Sequence, residues 1–326
     1  MKYLTAIKTI NYFHQYEEYL IASGEKIAVY NANLQVIDSL DISPWYALLF
    51  DNYYIFQSEN GQEVRYIDLN DIGFTSYSFD NDTKYYLFRN SIIDGNLLIE
   101  NTLNEIVFFD AKLNKESSYT IGRYRLFLPQ KHYLKVWLNN LSYNDIITNA
   151  ELWRSEFTDN IQKIEVWEEK VVLIELVGQN ENKIIALNAE KGTEVWQTQG
   201  AKLQIINNKI YGVRLNHSQL KIIEYNPLDV GNSKEYDLTK LIFEILGKTE
   251  NFQYTIQDDI IYISITSRKT LLVIDLLSSQ LIWRYDFAPS AQPRSHWIEE
   301  PKVSGNRIYV LDEEKTLHIF ERDKTA

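Results

Sequence analysis

Eight times along the chain a strand-like run closes on Asp, Asn or Glu, turns, and gives way to another strand-like run. The closing residues are Asn31, Asp68, Asp110, Asn149, Asn188, Asn226, Asp275 and a last position near Glu321. Successive steps are 37, 42, 39, 39, 38, 49 and about 46 residues. A period near forty, with four short strands per unit, predicts an all-β chain folded as one β-propeller. Units of such an array pack mainly on their neighbours, so 326 residues are compatible with one domain.

The clearest unit lies within residues 160–200. IQKIEVWEE, VVLIELVGQ, NKIIALNA and TEVWQTQ read as its four strands, innermost to outermost. VVLIEL is a continuous apolar run, as expected of a strand covered on both faces. Asn188 follows the third strand, where a carboxamide or carboxylate accepts local backbone hydrogen bonds and makes the turn. The same reading places blades at about 11–42, 43–80, 84–121, 122–159, 160–200, 201–238, 251–288 and 296–323. The last unit shows three strands only. KYLTAIKTI, within residues 2–10, supplies the fourth and closes the ring by pairing the two ends of the chain. The count is therefore eight, with seven as the alternative if the irregular unit at 122–159 is an insertion. In that unit DIITNA reads as the third strand and ELWRSEF as the fourth. Residues 239–250 depart from the rhythm. Leu238, Leu241, Ile242, Ile245 and Leu246 mark one face of a short helix, with Gly247 placed to cap it.

Hydrophobic residues are 45% of the chain, enough for a continuous core. There is no Cys, which removes disulfides, thiolate chemistry and Cys-based zinc sites together. Lys8, Thr9 and Asn11 interrupt the apolar start, so the N-terminus reads as a strand rather than a signal peptide. No run reaches the roughly 20 apolar residues of a membrane helix. The expectation is a soluble cytoplasmic protein, monomeric on its own. Net charge is −12 and no basic stripe is present, which argues against nucleic acid; the acidity reads as a solvated surface, with attraction of a basic protein partner as the alternative.

Ala186, Asn188, Gly192 and Trp196 resemble the tryptophan-docking motif of quinoprotein-type (PQQ-like) propellers. Asp275, Ser279 and Trp283 match the same frame with Gly replaced, and Trp153 follows Asn149 in a shortened version. The resemblance implies that each outer-strand indole lies flat on the turn of the next blade and bolts the blades together. Asn188 departs from the Asp usual in that frame, and one blade alone carries the motif nearly intact. The family has a catalytic branch of quinone-dependent dehydrogenases, which carry an adjacent-Cys disulfide, a calcium site and a catalytic Asp. The absence of Cys and of any DxDxDG-type spacing argues against the catalytic branch, so the resemblance implies the non-catalytic, protein-binding branch, in architecture only.

Motifs that carry chemistry are missing. His14, His132, His217, His296 and His318 form neither HExxH nor HxH, and no GxSxG, P-loop or GxGxxG occurs. His318 alternates with Leu317 and Ile319 and reads as structural. Asp312–Glu314 and Glu299–Glu300 read as hairpin and loop surface. No catalytic residue, metal ligand or cofactor is assigned. The expected activity is recognition of a protein by one face, as an immunity-type inhibitor of a toxin or as an assembly scaffold. Candidate anchors are Trp45, Tyr143 and the loop residues Arg294, His296 and Trp297. The alternative is a sugar- or quinone-binding propeller, which requires polar groups and perturbed carboxylates converging at its centre.

Overall fold

In the computed structural model every repeat folds as an antiparallel sheet, and the eight sheets make an eight-bladed β-propeller. The structure describes residues 1–58, 63–70, 75–79, 85–87, 92–93, 95–101, 105–120, 125–128, 132–178, 181–216, 219–247, 252–265, 268–288 and 299–322.

Blade 5 shows how the sequence pattern becomes structure. Its strands are Asn160–Trp167, Val171–Val177, Asn182–Asn188 and Glu194–Gln199, in that order across the sheet. Val171, Val172, Leu173, Ile174 and Leu176 are all buried, because both faces of the second strand are covered. The fourth strand alternates exposed and covered residues and buries Trp196 alone among its large side chains. At the third turn Asn188 accepts a hydrogen bond from the Lys191 amide at 2.9 Å, and Gly192 follows with φ +67°.

Blade 8 is assembled from both ends of the chain. Lys302–Ser304, Arg307–Leu311 and Leu317–Glu321 pair in order, and Lys2–Ile7 adds to the last of them. Tyr3 lies opposite Phe320 in this register and stacks on Tyr285 of blade 7 with ring centroids 5.5 Å apart. The predicted closure therefore forms as a regular ladder, with a shift between Tyr3 and Thr5.

The irregular unit corrects the sequence reading. Blade 4 is a full blade, with strands Arg125–Leu128, His132–Trp137, Asn140–Asp145 and Glu151–Glu156. Its third strand is NLSYND, and DIITNA is the turn that follows. The turn residue is accordingly Asp145, not Asn149. Asp145 Oδ1 accepts from the Thr148 amide and hydroxyl, as Asp275 Oδ1 accepts from Ser278. Asn149 takes the left-handed place of this turn with φ +56°, as Gly192 and Ser279 do in theirs. Trp153 then stands eight residues after Asp145, as Trp196 does after Asn188 and Trp283 after Asp275. The frame is full length in all three. In blade 3 the first-strand place is shared by two short pieces, Tyr85–Tyr86 and Ile92–Ile93, both paired to Asn96–Asn101.

The single α-helix among the described residues, Thr239–Leu246, follows blade 6. Ile242 and Leu246 enter the core with Leu238, against Tyr211, Leu220 and Ile256. Gly247 ends it in the left-handed conformation, its amide bonded to the Phe243 carbonyl at 2.8 Å.

The chain divides into two compact units. One comprises residues 1–8, 137–141 and 153–326 and holds blades 5 to 8. The other comprises residues 9–136 and 142–152 and holds blades 1 to 3. In the first, one apolar cluster runs from Tyr211 through Tyr254 to Leu276. In the second, Leu48, Ile55, Leu97 and Phe109 form the corresponding core.

Candidate functional site

In a four-stranded meander the first-to-second and third-to-fourth turns fall on one edge of the blade. In this chain that edge is rich in acid. The first turns are tight, with central residues at positive φ: Glu17 (48°), Asp51 (49°), Glu168 (45°), Glu169 (57°), Asp258 (54°) and Asp259 (58°). The third turns add Asp68, Asp110, Asp145 and Asp275. Left-handed backbone is the natural place of Gly and Asn, because other side chains meet their own carbonyl there. Blade 6 builds the same turn with Asn207 (49°) and Asn208 (62°), and blade 8 uses Gly305 (57°) before Asn306. The fold thus accepts neutral residues at these positions, and acids stand there in other blades.

Local hydrogen bonds favour the charged form at four of these positions, Asp110, Asp145, Glu168 and Asp275. The Asp110 carboxyl is held below its ordinary value by the Asn114 side chain and amide, and Asp275 by the Ser278 amide. Thr148 does the same for Asp145. Glu168 is lowered by Lys170 and by Asn208, whose amide donates to it at 2.5 Å. Neighbouring phenols register the charge. Tyr53 is raised by burial and then by Asp68, with Asp51 and Asp110 adding to it. Tyr236 is pushed up to about 12 by burial and then by Glu224, with a further push from Asp259. Cations on this edge are tied locally: Lys170 to Glu168 at 2.8 Å, and Arg322 to the Tyr262 hydroxyl at 3.0 Å and toward Asp258 at 3.9 Å.

The opposite edge of blades 5 and 6 carries a polar cleft of ≈ 740 Å³. Glu175 at the end of the second strand of blade 5, Lys202 at the start of blade 6, and Arg214 line it. Lys202 sits at φ +54°, inside a register shift between Ala201 and Gln204. It is held there by Tyr254, whose hydroxyl donates to the Lys202 carbonyl at 2.9 Å. Its ammonium donates to the Phe252 carbonyl at 2.6 Å. Burial lowers the Lys202 pKa, opposed by the Glu175 charge.

Beside the cleft, first-strand residues of unit one bring charges together. Gln204 donates to Glu300 at 3.1 Å, and Lys163 bonds Glu165 at 3.0 Å and the Leu203 carbonyl at 2.6 Å. Desolvation raises Glu299 and Glu300 and lowers Lys302. Glu300 keeps contact with solvent, so its shift reflects a concave setting rather than a sealed one. Sequence reasoning took Glu299–Glu300 for loop surface and missed Glu175 and Lys202 altogether. No spacing could reveal them, because strands of three blades contribute to the cleft.

The sequence-selected residues fall in separate places. Trp45 is 61% exposed at the start of its strand, whereas Tyr143 stacks on His132 at 4.9 Å and is half-buried. They lie on different blades. Arg294, His296 and Trp297 lie outside the described residues, as does His217. Trp137 and Leu138, at 57% and 67% exposure, are large apolar residues that sequence reasoning passed over as strand. Asp312 and Glu313 are not plain surface: His318 bonds Asp312 at 2.8 Å, and Lys269 reaches Glu313 at 2.9 Å. Glu314 alone of the three is exposed.

The docking residues are placed on neighbouring turns. Trp153 Nε1 donates to the Ala189 carbonyl at 2.8 Å, and its ring covers Gly192. Trp196 donates to the Pro227 carbonyl at 2.9 Å and stacks on Tyr225. Ala186 is buried opposite Trp196 in the sheet. Trp283 packs instead on Tyr285 and Phe320.

Among the described residues no group of three or more His, Asp or Glu stands together to hold a metal ion, and no helix is long and apolar enough to cross a membrane. No protein-family model and no curated protein sequence matches the chain. Solved structures do resemble it. The computationally designed Ika8 protein shares 11% identity at a TM-score of 0.64, with 96% of each chain covered. BamB from Moraxella catarrhalis shares 10% identity at 0.61, over 98% of this chain and 99% of that one. The dihydro-heme d1 dehydrogenase NirN shares 10% at 0.55, over 84% of this chain and 66% of the other. At such identities the likeness is one of fold alone.

Proposed function

We propose that the chain is a non-catalytic binding propeller of the quinoprotein-type superfamily, whose acidic first turns in blades 5 and 7, within one compact unit, receive a basic protein. The observation that carries this is the choice of acids at left-handed turn positions. Asp258–Asp259 and Glu168–Glu169 stand where Asn207–Asn208 serves equally in the same fold. Backbone strain held at a residue the fold does not require is a pointer to function. A net charge of −12 adds long-range attraction for a cationic partner. Within this reading the partner is a basic toxin or effector that the protein neutralises in the cytoplasm, and an assembly scaffold is the second form. Three of the five His support the non-catalytic part, each being engaged structurally: His14 on Tyr54, His132 on Tyr143 and His318 on Asp312.

The test compares the tagged protein with a variant carrying Glu168→Asn, Glu169→Gly, Asp258→Asn and Asp259→Gly. Both are used to capture partners from the native source at low and at high salt. A stoichiometric basic protein held by the parent, released by salt and lost from the variant supports the reading. Equal capture by both proteins refutes it.

A further inference from the structure

The cleft between blades 5 and 6 has a chemistry unlike that of the acidic edge. Glu175 is 4% exposed yet lines the cleft. The described residues give it one hydrogen bond, from the Leu203 amide to Oε2 at 2.9 Å. A buried carboxylate is costly unless its lone pairs are used, and it has about four acceptor sites. The nearby cations are directed elsewhere. Lys202 donates to the Phe252 carbonyl at 2.6 Å, and Arg214 to Glu235 at 2.8 Å. Much of the remaining lining is carboxamide, from Gln162, Asn182, Gln199 and Gln253, of which Gln199 already donates to the lining carboxylate of Glu181 at 2.5 Å. Leu215, 38% exposed, adds a small apolar surface.

We propose that this cleft binds a neutral polyhydroxylated molecule, a saccharide of one or two rings. Adjacent hydroxyls donate to the open side of Glu175, the carboxamides pair with the remaining hydroxyls, and a ring C–H face meets Leu215. A volume of ≈ 740 Å³ falls within the usual range of small-molecule sites. The left-handed Lys202 and its bulge shape one wall, a placement common beside binding sites. An anionic ligand fits less well, since Lys202 and Arg214 donate to protein acceptors while the carboxylates of Glu175 and Glu181 both line the cleft.

Calorimetric titration and thermal melts on the full chain decide the matter, with glucose, maltose and, as a cationic control, spermidine. The proposal expects glucose or maltose to bind and raise the melting temperature. Glu175→Gln weakens that binding by at least about tenfold, the loss of hydrogen bonds to a charged group. Gln162→Ala and Gln253→Ala, which spare the core, each weaken it by about threefold or more. These two decide the outcome should Glu175→Gln not fold. Binding of spermidine alone, no binding of either sugar, or equal binding by parent and variants overturns the proposal. Neutralising Glu168–Glu169 and Asp258–Asp259 leaves the cleft untouched, so this test fails or succeeds independently of the partner reading.

Discussion

The indole of Trp153 lies over Gly192 of the following blade, with its Nε1–H bonded to the Ala189 carbonyl at 2.8 Å. A Cβ on Gly192 would stand 2.6 Å from Trp153 Cδ2, and the residue has φ +67°. The turn therefore demands glycine twice over, for its backbone and for its neighbour.

Gly192→Ala should destabilise the protein by about 2–4 kcal/mol, combining a left-handed alanine with displacement of a packed ring. Urea unfolding followed by Trp fluorescence measures it. Asn149→Gly, at the equivalent turn position of blade 4, is expected to be tolerated there, although it forfeits the Tyr133 hydroxyl bond of 2.5 Å.

Replacing Asp258–Asp259 by Asn-Gly should stabilise the isolated protein, by about 1 kcal/mol, because both residues hold positive φ. A melting temperature that falls would mean that the acids are needed for folding and would weaken their assignment to a partner.

Lys269 and Glu313 form an ion pair of 2.9 Å between blades 7 and 8, with side chains 10% and 6% exposed. Lys269→Met alone should cost about 3–5 kcal/mol by removing the cation from a buried carboxylate, while the double change with Glu313→Leu should cost much less. A double-mutant cycle in denaturant reads the difference.

The Asp312 carboxyl sits below its ordinary value. Burial opposes this, but the His318 side chain and the Thr316 and Glu314 amides outweigh it. A depressed carboxyl contributes stability above its unfolded pKa of ~3.9, lost as pH falls through the folded value. Asp312→Asn should therefore lower the melting temperature at pH 7 and approach the parent below about pH 3. A gap that stays constant with pH would assign the loss to shape rather than charge.

The blades were legible because strand period and turn residues repeat, and each repeat restates the others. Blade 4 was misframed for a specific reason. SYNDIITNAELW offers two turn residues, and Asn149 fits the forty-residue step better than Asp145. The bond from Thr148 to Asp145 identifies the true one. The acidic edge was half legible: Asp258–Asp259 can be read from the chain, but its left-handed backbone cannot. The cleft was not legible, since Glu175 reads as one polar interruption of an apolar strand. Leu203 in the next blade supplies the amide that explains it.

Pairing Lys2–Ile7 with Leu317–Glu321 joins segments separated by nearly the entire sequence. Every other ladder among the described residues links strands close in the chain and can form as synthesis proceeds. This one must wait until Leu317–Glu321 exists, so Lys2–Ile7 is placed late although it comes early in the sequence. Until then Leu317–Glu321 presents an open edge and Phe320 lacks Tyr3 against its ring. Folding of this blade is thus the slow, long-loop step, and the interval before it is when a second copy's first strand competes for the same seat.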